Sequence, residues 1–478
     1  MGSRVGVLGV SLVVVVALPL LSSSVAADGF WMRYDTALDA WASLSEKDQF
    51  AIINYDDGIE KMIMQIQVPR DEVIASSDMV WLFPVPAAPE TISLRHFQTI
   101  PRLDGDPLSE SVHRRVSDSD SWAYSFGTQI YTLPVVAVAF FMVFGFSGGG
   151  AYDDLVDSYA VLEQYGVTTE VLEADSPEAL IAYLASEGVA LSETAEDLVG
   201  EYVDSGHSIV TTRISNVTQF VAESSLVPNE NAYSLGIGVE FPCDEIFYPL
   251  RMTSAYDTLE IPITVQVLGF ATPEAYPAGD TLSFTCEYRV QESYAPPSWY
   301  HPYSPYDESI DWEQSRLDHA YFFEEQIDAN GGHITLSDVD YTVVRFDGLA
   351  GALSEDLTMS DQSPFVTSTM GFLGDNPWVV VLALTAVVSC VASLAAFVII
   401  FGWDSRLAGR AALVGAFNLL SLVAFYIAYV VLLAPKLDRQ DVVVRRKCRR
   451  FIALFSGLFL GVLLEICFVF FSGYVVGV

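Results

Sequence analysis

The sequence predicts an α+β domain of mostly antiparallel strands with a few helices, followed by a three-helix transmembrane bundle. Three observations lead there. Charge is partitioned: residues 28–376 hold 57 Asp and Glu against 13 Lys and Arg, a net of −44, whereas the rest holds 4 acids and 10 bases. That remainder is otherwise mainly apolar, as a membrane-embedded part requires. Within 28–376, strand-like alternation and helix-capping signals succeed one another without an internal repeat.

Residues 1–27 read as a signal peptide, with Arg4 ahead of the apolar Val5–Leu21 and small Val25 and Ala27 at a cleavage site. An acidic ectodomain is expected over 28–376. Its first clear element is a hairpin. Phe50–Tyr55 and Glu60–Val68 flank Asp56-Asp57-Gly58, and Met62, Met64, Ile66 and Val68 alternate with Lys61, Gln65 and Gln67. Met79–Val85 is a buried strand, cut short by Pro84, Pro86 and Pro89. Thr132–Ser147 is an apolar insertion, short for a membrane crossing, and a helix is expected near Asp153–Tyr165.

A strand over Thr168–Ala174 precedes a helix capped by Ser176 with Pro177 at its first turn and ended by Gly188. A second helix runs over Glu193–Asp204 and stops at Gly206; the β-branched Ser208–Ile214 is a strand. Further strands are expected at 236–241, 259–269, 281–289 and 340–346. Residues 294–312 combine prolines and aromatics, which favours an extended surface loop: either an aromatic platform for glycan or peptide, or rings packed back onto the domain.

The transmembrane part is expected over 377–478, with helices at 378–403, 411–434 and 451–476 and a basic loop at 435–450. Seven bases in that loop favour the cytoplasmic side. Three spans after an external domain would place it outside. A fourth crossing at 132–147, a retained signal anchor, or one run that fails to cross would each resolve the conflict. The expected localisation is the cell membrane, multi-pass, with the large domain extracytoplasmic.

An ordered series of residues resembles a known family. It comprises Glu46, Gln49, Ala51, Ile53, Tyr55, Gly58 and Glu60; then Trp81, Pro84, Val85, Pro86 and Pro89. It continues with Glu173-Ala174, Ala179-Leu180, Tyr183-Leu184 and Gly188; then Glu201-Tyr202-Val203 and Arg213; and finally Phe247-Tyr248-Pro249-Leu250-Arg251-Met252-Thr253. This is similar to the bacterial family known as domain of unknown function 2330, over roughly residues 28–290. The resemblance implies a secreted, membrane-anchored envelope domain and no mechanism. Matching segments on both sides of 132–147 argue against a membrane dividing them.

Candidate chemistry is sparse. Gly145-Phe146-Ser147-Gly148-Gly149 has the form of a nucleophile elbow, which would make Ser147 a serine-hydrolase nucleophile with Asp257 or Asp311 and His319 or His333 as partners. A glycine-rich hinge explains the same letters. The six histidines show no ligand spacing, and Asp104-Gly105-Asp106, Asp118-Ser119-Asp120 and Asp338-Val339-Asp340 lack the full calcium-loop series. No cofactor or metal is expected. Cys243 and Cys286 are a possible disulfide, with two buried thiols as the alternative; Asn216 heads a glycosylation sequon. Glu465 and Asn418 are a possible intramembrane hydrogen-bonded pair.

The acid excess excludes nucleic acid as a partner of the domain. The partners expected are a lipid membrane and an envelope protein or a glycan. The expected function is therefore a membrane-anchored cell-envelope protein displaying an acidic extracytoplasmic domain for binding or a structural role. The alternatives are a hydrolase at Ser147 or a transport or signalling component using Glu465.

Overall fold

A computed structural model of the protein describes residues 29–35, 40–43, 49–70, 78–127, 161–227, 232–276, 282–294, 310–324, 336–403, 405–416, 427–437 and 442–458. The signal segment, the insertion 132–147 and residues 295–309 of the aromatic stretch lie outside these. The α+β class stands. A six-stranded antiparallel sheet runs in the order β2 (Ala40–Ser43), β1 (Phe30–Asp35), β5 (Met79–Val85), β10 (Ser208–Ile214), β9 (Val167–Leu172) and β8 (Val161–Gln164).

The second sheet is larger and mixed. Its order is β11 (Ser225–Val227), β12 (Ala232–Pro242), β4 (Ile59–Pro69), β3 (Gln49–Asp56), β14 (Ile263–Leu268), β17 (Leu336–Gly348), β16 (Leu282–Tyr294) and β7 (Asp106–Pro107). A further strand, β6 (Ser93–Phe97), also pairs with β12, and among the described strands β3 with β14 is the parallel pair. A small sheet joins β13 (Ile246–Tyr248), β18 (Leu357–Ser360) and β15 (Thr272–Pro273). The helices are α1 (Leu108–Gly127), α2 (Pro177–Ser186), α3 (Glu193–Asp204), α4 (Val217–Glu223), α5 (Trp312–Phe323), α6 (Phe365–Asp375), α7 (Pro377–Phe401) and α8 (Ser405–Ala416).

The β3–β4 hairpin forms because Asp57 and Gly58 both take left-handed backbone, φ 48° and 84°, the turn whose twist matches the strands it joins. Ala51, Ile53, Met62 and Met64 enter the main core, whereas Phe50, Ile52 and Ile63 enter a second core with Phe322 of α5 and Tyr341 of β17. The hairpin is therefore buried on both faces. Ser176 and Ser192 accept from the backbone N–H groups of Ala179 and Ala195, starting α2 and α3. Leu180, Leu184, Leu198 and Val199 of these helices join the main core.

Two local expectations are corrected. Residues 153–160 lie outside the described chain, and Val161–Gln164 is a strand where a helix was expected. The cause is a second two-residue turn, with Tyr165 and Gly166 at φ 57° and 73°, which pairs Gln164 with Val167. The expected loop 294–312 has structured ends: Tyr294 closes β16, and Trp312 opens α5 behind Asp311, whose Oδ1 accepts from the N–H groups of Glu313 and Gln314.

The transmembrane bundle is also corrected. Among the described residues no helix is long and apolar enough to cross a membrane. The multi-pass localisation fails with it. The run 378–403 lies mostly in α7, whose side chains at 381, 382 and 384–386 are outside the described set; 417–426 and 459–478 are wholly outside it. What is described packs on itself. Ala392, Ala396 and Phe397 of α7 meet Ala411 and Val414 of α8, with Tyr429, Leu433, Phe451 and Phe455. Ser389 and Ser393 donate to the carbonyls of Gly415 and Ala411 at 2.6 and 2.5 Å, so the α7–α8 contact is partly polar.

The turn at Gly166 docks on the start of α4: an added Cβ would collide with the Asn216 carbonyl and, at 2.5 Å, with the Phe220 nitrogen. Gly166→Ala is expected to cost about 2 kcal/mol or more, from left-handed backbone and this overlap together. Thermal unfolding measures it, and an unchanged Tm would show that the turn is not seated there.

Candidate functional site

Perturbed proton-holding groups concentrate where the β3–β4 hairpin meets the connection from β12 to β13. Glu60 opens β4, opposite Tyr55 of β3 and Phe241 of β12. Side chains alternate along a strand, so Glu60 shares a face with Met62 and Met64 and points into the core. Its exposure is 0%. Oε2 accepts from the Phe247 backbone N–H at 2.8 Å and lies 3.6 Å from the Cys243 thiol, which donates to it. Oε1 has no hydrogen-bond partner among the described residues.

The same connection is stitched down by backbone. Cys243 N–H donates to the Gly58 carbonyl at 3.0 Å, and the Tyr55 hydroxyl donates to the Cys243 carbonyl at 3.2 Å. Burial without a neighbouring cation pushes the Glu60 carboxyl up to about 8. Burial, with Glu60 beside it, holds the Cys243 thiol above its usual range. An acid rather than a base faces this sulfur, so it stays a thiol at neutral pH, the opposite of what a cysteine nucleophile needs.

Phe247 carries the arrangement onward. His207 lies 5.8 Å from its ring, and Tyr202 sits edge-on to His207 at 5.3 Å. The Tyr202 hydroxyl donates to Asp356 Oδ1 at 2.7 Å, and that oxygen also accepts from the Arg251 N–H at 2.9 Å. The Arg251 guanidinium pairs with Glu201. Burial raises the Asp356 carboxyl and the Tyr202 phenol and lowers His207. The cluster can hold protons and tie four chain segments together; it presents no base beside a nucleophile.

The residues singled out from sequence fare differently. Ser147, His333, Glu465 and Asn418 lie outside the described residues. Asp311 caps α5, and Asp257 follows the 3-10 turn Leu250–Tyr256, its carbonyl accepting from Gly351 N–H at 2.7 Å. His319 accepts or donates at both nitrogens, with the Tyr294 hydroxyl at 2.8 Å and Thr99 at 3.0 Å, and burial pushes it down to about 4. Its nitrogens are thus taken by Tyr294 and Thr99 rather than by either aspartate, which removes the acid–histidine half of the hydrolase pairing for this histidine.

Cys243 and Cys286 are both free, correcting the possible disulfide: Cys243 faces Glu60, and Cys286 lies in β16 opposite Val344. Asn216 caps α4, its Oδ1 accepting from Gln219 N–H at 3.1 Å. Asp106 and Asp338 pair with Arg114 and Arg115 at 2.8 and 2.6 Å, and burial together with Asp375 lifts Asp340 to about 6. Among the described residues no three His, Cys, Asp or Glu side chains are grouped to hold a metal. Glu60 was not singled out from sequence, although its parity with Met62 and Met64 marked it as inward-facing.

Several of these positions belong to the ordered series read from sequence: Tyr55, Gly58, Glu60, Glu201, Tyr202, Phe247 and Arg251. The model of a family described as an uncharacterized protein conserved in bacteria, DUF2330, matches residues 36–271. No curated protein and no solved structure matches the chain. The family brings no activity with it.

Tyr202→Phe leaves Asp356 without the phenolic donor. The expected loss is about 1–3 kcal/mol, read by chemical denaturation. No loss would mean that solvent replaces this bond and that the cluster is open to water.

Proposed function

We propose that the chain, which carries a DUF2330 domain over residues 36–271, is an anionic binding domain whose surface takes a cationic protein partner. One observation carries the reading. Of the 13 bases in residues 28–376, nine are paired with acids of the same domain. Arg114 and Arg115 each meet two acids, and Glu287 accepts both Arg289 and Arg345. Most of the positive charge is thus neutralised within the domain, partly by pairs that join separate elements, and with 13 bases against 57 acids most acids have no base to answer them.

Such a surface attracts cationic partners through a field that salt screens over roughly 8–10 Å. It repels nucleic acid and anionic surfaces for the same reason. The buried polar groups support a binding role over a catalytic one: His319 and Glu60 are used to fix elements in place rather than to face an open cleft.

Calorimetric titration with an oligolysine peptide tests this. The expected result is saturable binding with a defined stoichiometry at low ionic strength, weakening about tenfold or more between 50 and 200 mM salt as screening grows. Unsaturable uptake, or none, would overturn the reading, as would equal affinity for oligoglutamate.

A further inference from the structure

We propose that Glu60 is a proton-operated latch. Its neutral carboxylic acid holds residues 243–247 against the β3–β4 hairpin, and loss of that proton releases the connection and uncovers the Cys243 thiol.

The geometry is that of a group built to be uncharged. The carboxyl is fully enclosed, with 0% exposure, and one of its two oxygens has no partner among the described residues. Both donors reach Oε2, which places the acid proton on Oε1, and enclosure of the carboxyl away from water is what disfavours its ionised form. Among the described residues no positive charge acts on it. From β3 and the turn come Tyr55, Asp56 and Asp57; from the connection come Cys243, Asp244 and Glu245. Asp361, beyond β18, acts on Tyr55. The one base on the same strand, Lys61, points to the opposite face and pairs with Glu324 at 2.7 Å. His207 lies across the Phe247 ring and is itself kept neutral by burial.

What the carboxyl holds is also specific. Its two contacts are Phe247 N–H and the Cys243 thiol, the two ends of the connection between β12 and β13. Loosening it frees Cys243, whose half-buried thiol has no disulfide partner.

The direction follows from linkage. Burial lifts the carboxyl from 4.5 to about 8 in the closed form, so the closed form binds the proton more tightly than an opened one. The advantage of closure is complete below about pH 4.5 and is lost progressively as pH rises to about 8, above which it stays lost. The open population therefore grows about tenfold per pH unit across that window and then levels.

The experiment is pulsed alkylation of the full chain with N-ethylmaleimide between pH 6 and 9, with Cys243 labelling mapped by peptide mass spectrometry. Each rate is divided by that of an unfolded peptide carrying the same cysteine, which removes thiol ionisation. The expected relative rate rises about 100-fold between pH 6 and 8 and levels by pH 9 in the wild type. In Glu60→Gln, which keeps the shape and cannot ionise, it stays flat. A flat wild-type profile overturns the latch whether or not the variant folds. An equal rise in Glu60→Gln overturns it as well, by assigning the opening to another group.

Discussion

Burial of the β3–β4 hairpin on both faces is the constraint on which the rest of the structure depends. A strand with one wet face can place an acid outward at no cost. Over most of its length this hairpin has no such face, because Ala51 and Met64 fill one core while Phe50 and Ile63 fill the other; at its turn end, Asp56 and Asp57 reach solvent while Glu60 stays enclosed. Its neighbours on either side, β12 and β14, are placed by the same requirement. An acid at position 60 must then be either ionised at great expense or neutral, and the absence of a compensating cation selects the neutral form.

The charge distribution obeys a related logic. With so few bases, several arginines are placed where they join elements distant in sequence: Arg95 on β6 to Asp318 on α5, Arg115 on α1 to Asp375 at the end of α6. Arg95 also stacks on the Tyr321 ring at 4.0 Å, and Lys61 lies 4.7 Å from the same ring, so one aromatic gathers two of the scarce cations. Exposed pairs of this kind contribute little singly. Their larger effect is on the exterior, where they leave the acids unopposed.

The elements legible in the sequence were those with local chemistry of their own. The Asp-Gly turn, the Ser176-Pro177 cap and the β-branched run at 208–214 each state their structure within a few residues. Where structure came from distant partners, local signals misled. Val161–Gln164 became a strand through its turn to β9, and α1 (Leu108–Gly127) was not among the elements read from sequence, although Leu108 and Val116 are buried. The three C-terminal apolar runs were legible as apolar and not as spans. The candidate site was the least legible: Glu60 reads as one more surface acid until β12 and Phe247 close over it. Strand parity alone hinted otherwise.

The single parallel pair, β3 with β14, sets Gln49 beside Ile263. These positions are far apart on a nascent chain. At about 5–20 residues per second, synthesis of the intervening stretch takes roughly 10–40 s, whereas a hairpin forms in microseconds. The β3–β4 hairpin can thus form early, before the strand that will cover its edge, while β17, the strand beyond that one, comes later still. During that interval its open edge is a template for pairing with other chains. The order of translation therefore decides how long the β3 edge stays open to mispairing before β14 covers it.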